Sequence, residues 1–129
     1  MRDVVVDTDV FSFVFKGDTR AGLYAKNLNG RQINLSFTTV AELYRWSLTH
    51  GWGKRRVQSL EVSLARCSIL PYDDETSWEW ARVMSIKGQP MSPGDAWIAA
   101  AAIRHGFPLV THNRKHFDCI PRLTVISEA

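Results

Sequence analysis

The run "DVVVD" near the start of the chain limits the fold more than any other stretch. Val4, Val5 and Val6 stand between two acids, Asp3 and Asp7. β-branched residues favour extended backbone. An unbroken apolar run of this length suits a strand covered on both faces, as in a parallel sheet between helices. A carboxylate at the end of such a strand loses hydration, and Asp7 has no partner nearby in sequence. Asp9, close behind it, reads as the N-cap of the segment that follows.

The rest of the chain alternates helical and extended patterns. Residues 19–28 read as a helix ended by Asn29 and Gly30, and "QINLSF" as a strand with Ile33, Leu35 and Phe37 alternating. "TTVAELYRWSLTH" places Val40, Leu43, Tyr44 and Leu48 at helical spacing, with Gly51 as the stop. Residues 54–65 form a further amphipathic helix, and "CSILPY" a short strand. "DDETSWEWARVMSIKG" has acids in its first turn and Gly88 at its end, which suits the helix dipole. "SPGDAWIAAAAIRHG" is the clearest helix, with Ser92 as N-cap, Pro93 at the first position and Gly106 closing it. "FPLVTH" and "LTVIS" are the last strands. The alternation predicts an α/β fold in one domain over residues 1–129: a parallel sheet flanked by helices.

Composition narrows the function classes. With 129 residues the chain can bury a sizeable core, and its 45% hydrophobic content is ordinary for a globular domain. The longest apolar run, residues 96–103, is too short to span a bilayer. No apolar leader follows the N-terminus, so no secretory signal is expected. Cys67 and Cys119, flanked by apolar residues, read as buried reduced thiols of a cytoplasmic protein. A formal net charge of +3 is compatible with a polyanionic partner.

In open α/β sheets, ligands bind beyond the carboxyl ends of the strands. Asp7 ends the first strand and Glu42 lies one helical turn past the second. Asp95 opens the alanine-rich helix, and Asn113 and Asp118 follow the strand "PLVT". Two of these acids also have a plain structural reading. Thr39 to Glu42 fits a capping box, and Ser92 to Asp95 resembles one with Asp in place of Glu. Brought together, however, such carboxylates repel and raise one another's pKa unless a cation neutralises them. An oxygen-only donor set favours Mg²⁺ or Mn²⁺.

"VVVDTDVF", "TTVAELYRW", "SPGDAWIAAAAIRHG" and "LVTHNRKHFDCIPRLTVI", in that order over essentially the whole chain, resemble the PIN domain. More closely, they resemble the VapC-type ribonuclease toxins of bacterial toxin–antitoxin pairs. The resemblance implies a three-layer α/β/α fold and a Mg²⁺- or Mn²⁺-dependent endoribonuclease. It also implies a homodimer and a small antitoxin that occludes the acidic site, with an arginine placed among the carboxylates. Asp7, Glu42 and Asp95 match the first three residues of the family's acidic quartet. At the fourth position the family has Asp or Asn, and here the residue is Asn113, with Asp118 as a nearby acid able to substitute as a metal ligand.

Other residues receive lesser roles. Arg114, Lys115 and His116 are candidates to meet an RNA backbone, and Lys54, Arg55 and Arg56 read as a solvated helix face. The five tryptophans are expected in core or interface packing, with none assigned to RNA. Thr8 and Thr111, beside the acids, are placed to orient a carboxylate or a water, although the reading preferred for them is as β-formers. His112 and His116 have zinc-like spacing but no cysteine at ligand distance in sequence. Two other functions fit parts of the chain. "VVVDTDV" also resembles the haloacid dehalogenase phosphatases, in which Asp7 would be the nucleophile and Asp9 the general acid, although a later pair of acids is missing. The other is an inactive PIN-like binding module, which the retained carboxylates argue against.

Overall fold

The valine run forms the middle of a five-stranded sheet. The structure is a computed structural model that describes residues 2–88 and 90–129. Its strands are β1 (Asp3–Val6), β2 (Gln32–Ser36), β3 (Ser68–Leu70), β4 (Leu109–Val110) and β5 (Val125–Ile126). They lie in the order β3-β2-β1-β4-β5, all neighbours parallel. The chain builds outward from β1 to β3 on one side, then crosses to build β4 and β5 on the other. The topological switch point therefore falls between β1 and β4, where Val5 is opposite Leu109 and Val6 opposite Val110.

Alternation along β1 sends its valines to two cores. Val4 and Val6 pack with Val10 and Phe11 of α1 (Thr8–Lys16), Leu43 of α3 (Phe37–Thr49), and Leu60 and Leu64 of α4 (Lys54–Ala65). Val5 faces the opposite way, against Val83 of α5 (Asp74–Met84), Ala96, Ile98 and Ala99 of α6 (Pro93–His105) and Phe117 of α7 (Arg114–Phe117). The result is the three-layer arrangement anticipated from the sequence. Ala99, Ala100 and Ala102 are fully buried, so α6 lies close on the sheet. Gly106 closes α6 at φ 70°, a left-handed conformation that glycine adopts without a Cβ penalty.

Several local expectations change. Residues 8–16 form α1, so Asp9 is not a cap: Asp7 is the N-cap and Asp9 sits in the first turn. β1 ends at Val6, and the Asp7 carboxylate takes the Thr8 N–H at 2.7 Å, starting the helix earlier. Residues 19–28 are a 3₁₀ turn, Thr19–Tyr24, followed by the short α2 (Ala25–Leu28). α3 is capped by Ser36, whose Oγ accepts from Thr38 N, so Thr39 is not the cap of a Thr39–Glu42 box. Ser92 does cap α6, accepting from Asp95 N at 3.2 Å. α5 ends at Met84, ahead of Gly88: the Ile86 N–H bonds to the Val83 carbonyl, three residues back, in place of the next α-helical bond to Arg82. Both cysteines are free thiols, but only partly buried. Among the described residues, no helix is long and apolar enough to cross a membrane.

The tight seat of α6 sets a packing limit. Ala99→Leu should lower stability by about 1–3 kcal/mol, the usual cost of overpacking a filled core. Urea unfolding measures it; an unchanged midpoint would mean that the interface between helix and sheet has room for a larger side chain.

Candidate active site

The switch point carries the acids. Asp7 leaves β1 and caps α1, and its side chain is 5% exposed. Its backbone N–H reaches Val110 O at 2.9 Å, which ties it to β4. Thr111, fully buried just past β4, donates from Oγ1 to Asp7 Oδ2 at 2.7 Å. Burial, then the charge of Asp9 and, less, that of Asp95 push the Asp7 carboxyl up to about 7, against the hydrogen bonds from Thr111 and Thr8.

Glu42 comes from α3, one turn past its start, and its Oε1 accepts from Thr8 Oγ1 at 2.8 Å. The Thr39 hydroxyl lies 2.9 Å from the same Thr8 oxygen. Burial raises the Glu42 pKa, and Asp95 adds to the effect against the Thr8 hydrogen bond. Asp95 stands in the first turn of α6, with Oδ2 3.0 Å from His116 Nδ1. Gly94 brings the start of α6 against α3: a Cβ there would lie 3.8 Å from Glu42 Oε2.

Asp9 joins this group. Its Oδ2 accepts from His112 N at 3.1 Å and from Asn113 Nδ2 at 3.3 Å, while Oδ1 takes Val10 N. Burial raises its pKa and Asp95 adds to it, against the bonds from Val10 and His112. Asn113 also donates from its backbone to Thr111 Oγ1. Behind them lies Tyr24, fully buried, whose hydroxyl is 2.6 Å from His112 Nδ1 and accepts from Glu128 N.

Asp95 thus lies within electrostatic reach of both Asp7 and Glu42, and Asn113 meets the group through Asp9 and Thr111. Asp118 is held differently: it follows α7 and pairs with Arg114 at 3.2 Å. Arg114 also donates to Val125 O, and both it and Lys115 are exposed. Thr8 and Thr111, read from the sequence as strand formers, hold Glu42 and Asp7. Their adjacency to an acid was the signal available. His112 and His116 are occupied by Tyr24 and Asp95 and do not converge.

The donor set suits a hard cation. Burial and like charge make Asp7 expensive to ionise, and an added positive charge would relieve it. Among the described residues, no three His, Cys, Asp or Glu side chains are gathered closely enough to hold one ion. Each carboxylate is hydrogen-bonded to its own neutral donor or imidazole.

Comparison with known proteins identifies the family. The PIN domain model matches residues 4–123, and the chain belongs to the PIN-domain family. Within it, a VapC ribonuclease of Sinorhizobium fredii is 30% identical over 127 residues, covering 89% of this chain and 90% of its relative. A tRNA(fMet)-specific endonuclease VapC of Salmonella typhimurium is 26% identical over 128 residues, covering 97% of each. The DNA-bound VapBC structure from Salmonella typhimurium superposes with a TM-score of 0.84 at 24% identity over 98% of both chains. Membership of this family disfavours the phosphatase reading.

The raised Asp7 pKa has a signed consequence. The folded state holds a proton that the unfolded state releases near its ordinary 3.8, so this group costs stability increasingly as pH rises from there to about 7. Carboxylates held below their usual range, such as Asp73 by its hydrogen bonds from Thr76 and then Arg104, act oppositely at low pH, so a difference between variants isolates the effect. In chelator, Asp7→Asn should raise Tm at about pH 8 and change it little at about pH 4. An equal shift at both pH values would contradict the burial argument.

Proposed function

We propose that the chain is a divalent-cation-dependent endoribonuclease, the toxin of a toxin–antitoxin pair. The observation that carries this reading is the set of acids from three separated segments, Asp7 with Asp9, Glu42, and Asp95, around a buried carboxylate at the switch point. The named activity of the relatives supports it.

Asp7, Glu42 and Asp95 would hold Mg²⁺ or Mn²⁺. When bound, the cation supplies an activated water and a counter-charge for the scissile phosphate. The protein's own part is positioning. Thr111 fixes one Asp7 oxygen and Thr8 N–H the other. The Thr8 hydroxyl holds Glu42, and Ser92 sets the start of α6 so that Asp95 stands at the site. The His112 N–H and Asn113 amide hold Asp9, which we place as the fourth acid in preference to Asp118, whose carboxylate is engaged by Arg114. Asn113 serves as a neutral donor there, and Arg114 and Lys115, exposed and next to it in sequence, would meet the RNA backbone. No side chain need act as a covalent nucleophile.

The partner in this reading is a small antitoxin that covers the acids. A guanidinium donates to carboxylates in a bidentate fork and neutralises them as a metal would. The working form is a homodimer in the cytoplasm.

Incubation with total RNA and mapping of the cut ends tests the activity. Cleavage should require Mg²⁺ or Mn²⁺ and stop in excess EDTA. Glu42→Gln should lose at least about 100-fold, and Thr8→Ala about 10–100-fold, the range for a group that orients a ligand. Full cleavage in chelator would refute the metal-dependent mechanism.

A further inference from the structure

A groove of about 470 Å³ leads away from the acids along α3. It begins between Thr8 and Glu42 and continues past Arg45, Trp46 and His50. A second hollow of about 310 Å³ shares Trp46 and His50 and extends to Lys16, Trp52 and Arg56. The two form one track joined to the site.

Its cations are held in place. Lys16 Nζ sits 4.1 Å from the Trp46 ring centroid, and the Arg56 guanidinium 4.1 Å from that of Trp52. Trp52 is itself stacked on Phe15, at 5.8 Å, and Phe15 on Phe11 of the core. Such contacts orient a cation while leaving its charge outward. Among the described residues, Lys16, Arg45 and Arg56 form no salt bridge, whereas Arg20, Arg104, Arg114 and Arg122 each pair with a carboxylate. Glu42, at the site end, is the one acid along either lining among those residues.

We propose that this track binds the single-stranded stretch of RNA flanking the scissile phosphate, with Arg45, Lys16 and Arg56 meeting successive phosphates; it rests on the ribonuclease reading above. Cations interleaved with exposed rings suit an unpaired strand, which offers phosphates and base faces together. A duplex hides its base faces, and an acidic peptide has none. Trp46, 37% exposed and central to both hollows, is the platform the strand would cross.

The test combines Lys16→Gln, Arg45→Gln and Arg56→Gln and compares them with Arg2→Gln, Arg31→Gln and Lys87→Gln, an equal charge loss elsewhere. A fluorescent single-stranded RNA oligonucleotide is used for cleavage with Mg²⁺, and for binding in EDTA over a salt series. The track variant should raise KM about tenfold or more with kcat little changed, and its salt slope should fall by about 2, as for three lost phosphate contacts. The charge-keeping variant Lys16→Arg, Arg45→Lys, Arg56→Lys should recover most of the affinity. Equal losses in both neutral variants, or an unchanged KM in the track variant while wild type cuts, would overturn the track alone. So would poly-glutamate that competes as well as RNA of the same charge, which would give the groove to a protein partner. Wild type that neither binds nor cuts RNA would overturn the ribonuclease reading, and the track with it.

Discussion

The structure turns on the burial of one carboxylate. Asp7 ends an apolar strand at the point where the sheet reverses its order of construction, and it has almost no access to water. The fold offers it two hydrogen bonds and the start of a helix, all of which favour its charge. Burial and the neighbouring acids outweigh them, and its pKa rises to about 7. A fold that only needed a cap for α1 would be better served by a serine or asparagine, which carries no charge to desolvate. The cost makes sense if the charge is meant for something that arrives later.

The distribution of ion pairs supports that view. Away from the site, most carboxylates are matched with cations, among them Asp18 with Arg20, Asp73 with Arg104, Glu79 with Arg122 and Asp118 with Arg114. Among the described residues, Asp7, Asp9 and Glu42 form no ion pair with Lys or Arg, and Asp95 has the His116 imidazole. Their hydrogen bonds come from hydroxyls, backbone N–H groups and an amide. These orient a carboxylate without cancelling its charge. Among the described residues, three of the cations that form no ion pair, Lys16, Arg45 and Arg56, lie along the groove leading from the site. Negative charge is thus gathered at the switch point and positive charge along the path to it, the arrangement a metal-assisted nuclease requires.

Much of this was legible in the sequence because it follows from period and punctuation. The valine run, the alanine-rich helix with Ser92 and Pro93 at its start, and the alternation of elements were enough to indicate a parallel sheet between helices. Asp7, Glu42 and Asp95 stood out as acids placed after strands or at a helix start. The failures have local causes. "TDVFSFVF" is rich in β-branched and aromatic residues, so its helix α1 rests on packing of Val10, Phe11 and Phe13 and on the Asp7 cap, none of which shows in propensity. Missing that helix hid Asp9, whose side chain faces the site only because α1 begins at Thr8. Thr8, Thr111 and Tyr24 act through partners 34, 104 and 88 positions away, a separation no local pattern records.

In the proposed mechanism Asp7 is kept costly to ionise until a cation binds. Calorimetric titration of Mn²⁺ into metal-free protein at about pH 7, repeated in buffers of different ionisation enthalpy, counts the protons released on binding. With the Asp7 pKa near the working pH, binding should release about half a proton, because a ligand must be deprotonated to hold a metal. Asp7→Asn should abolish both that release and the tight binding. Mn²⁺ binding with no proton release, or equal binding by the variant, would contradict the account.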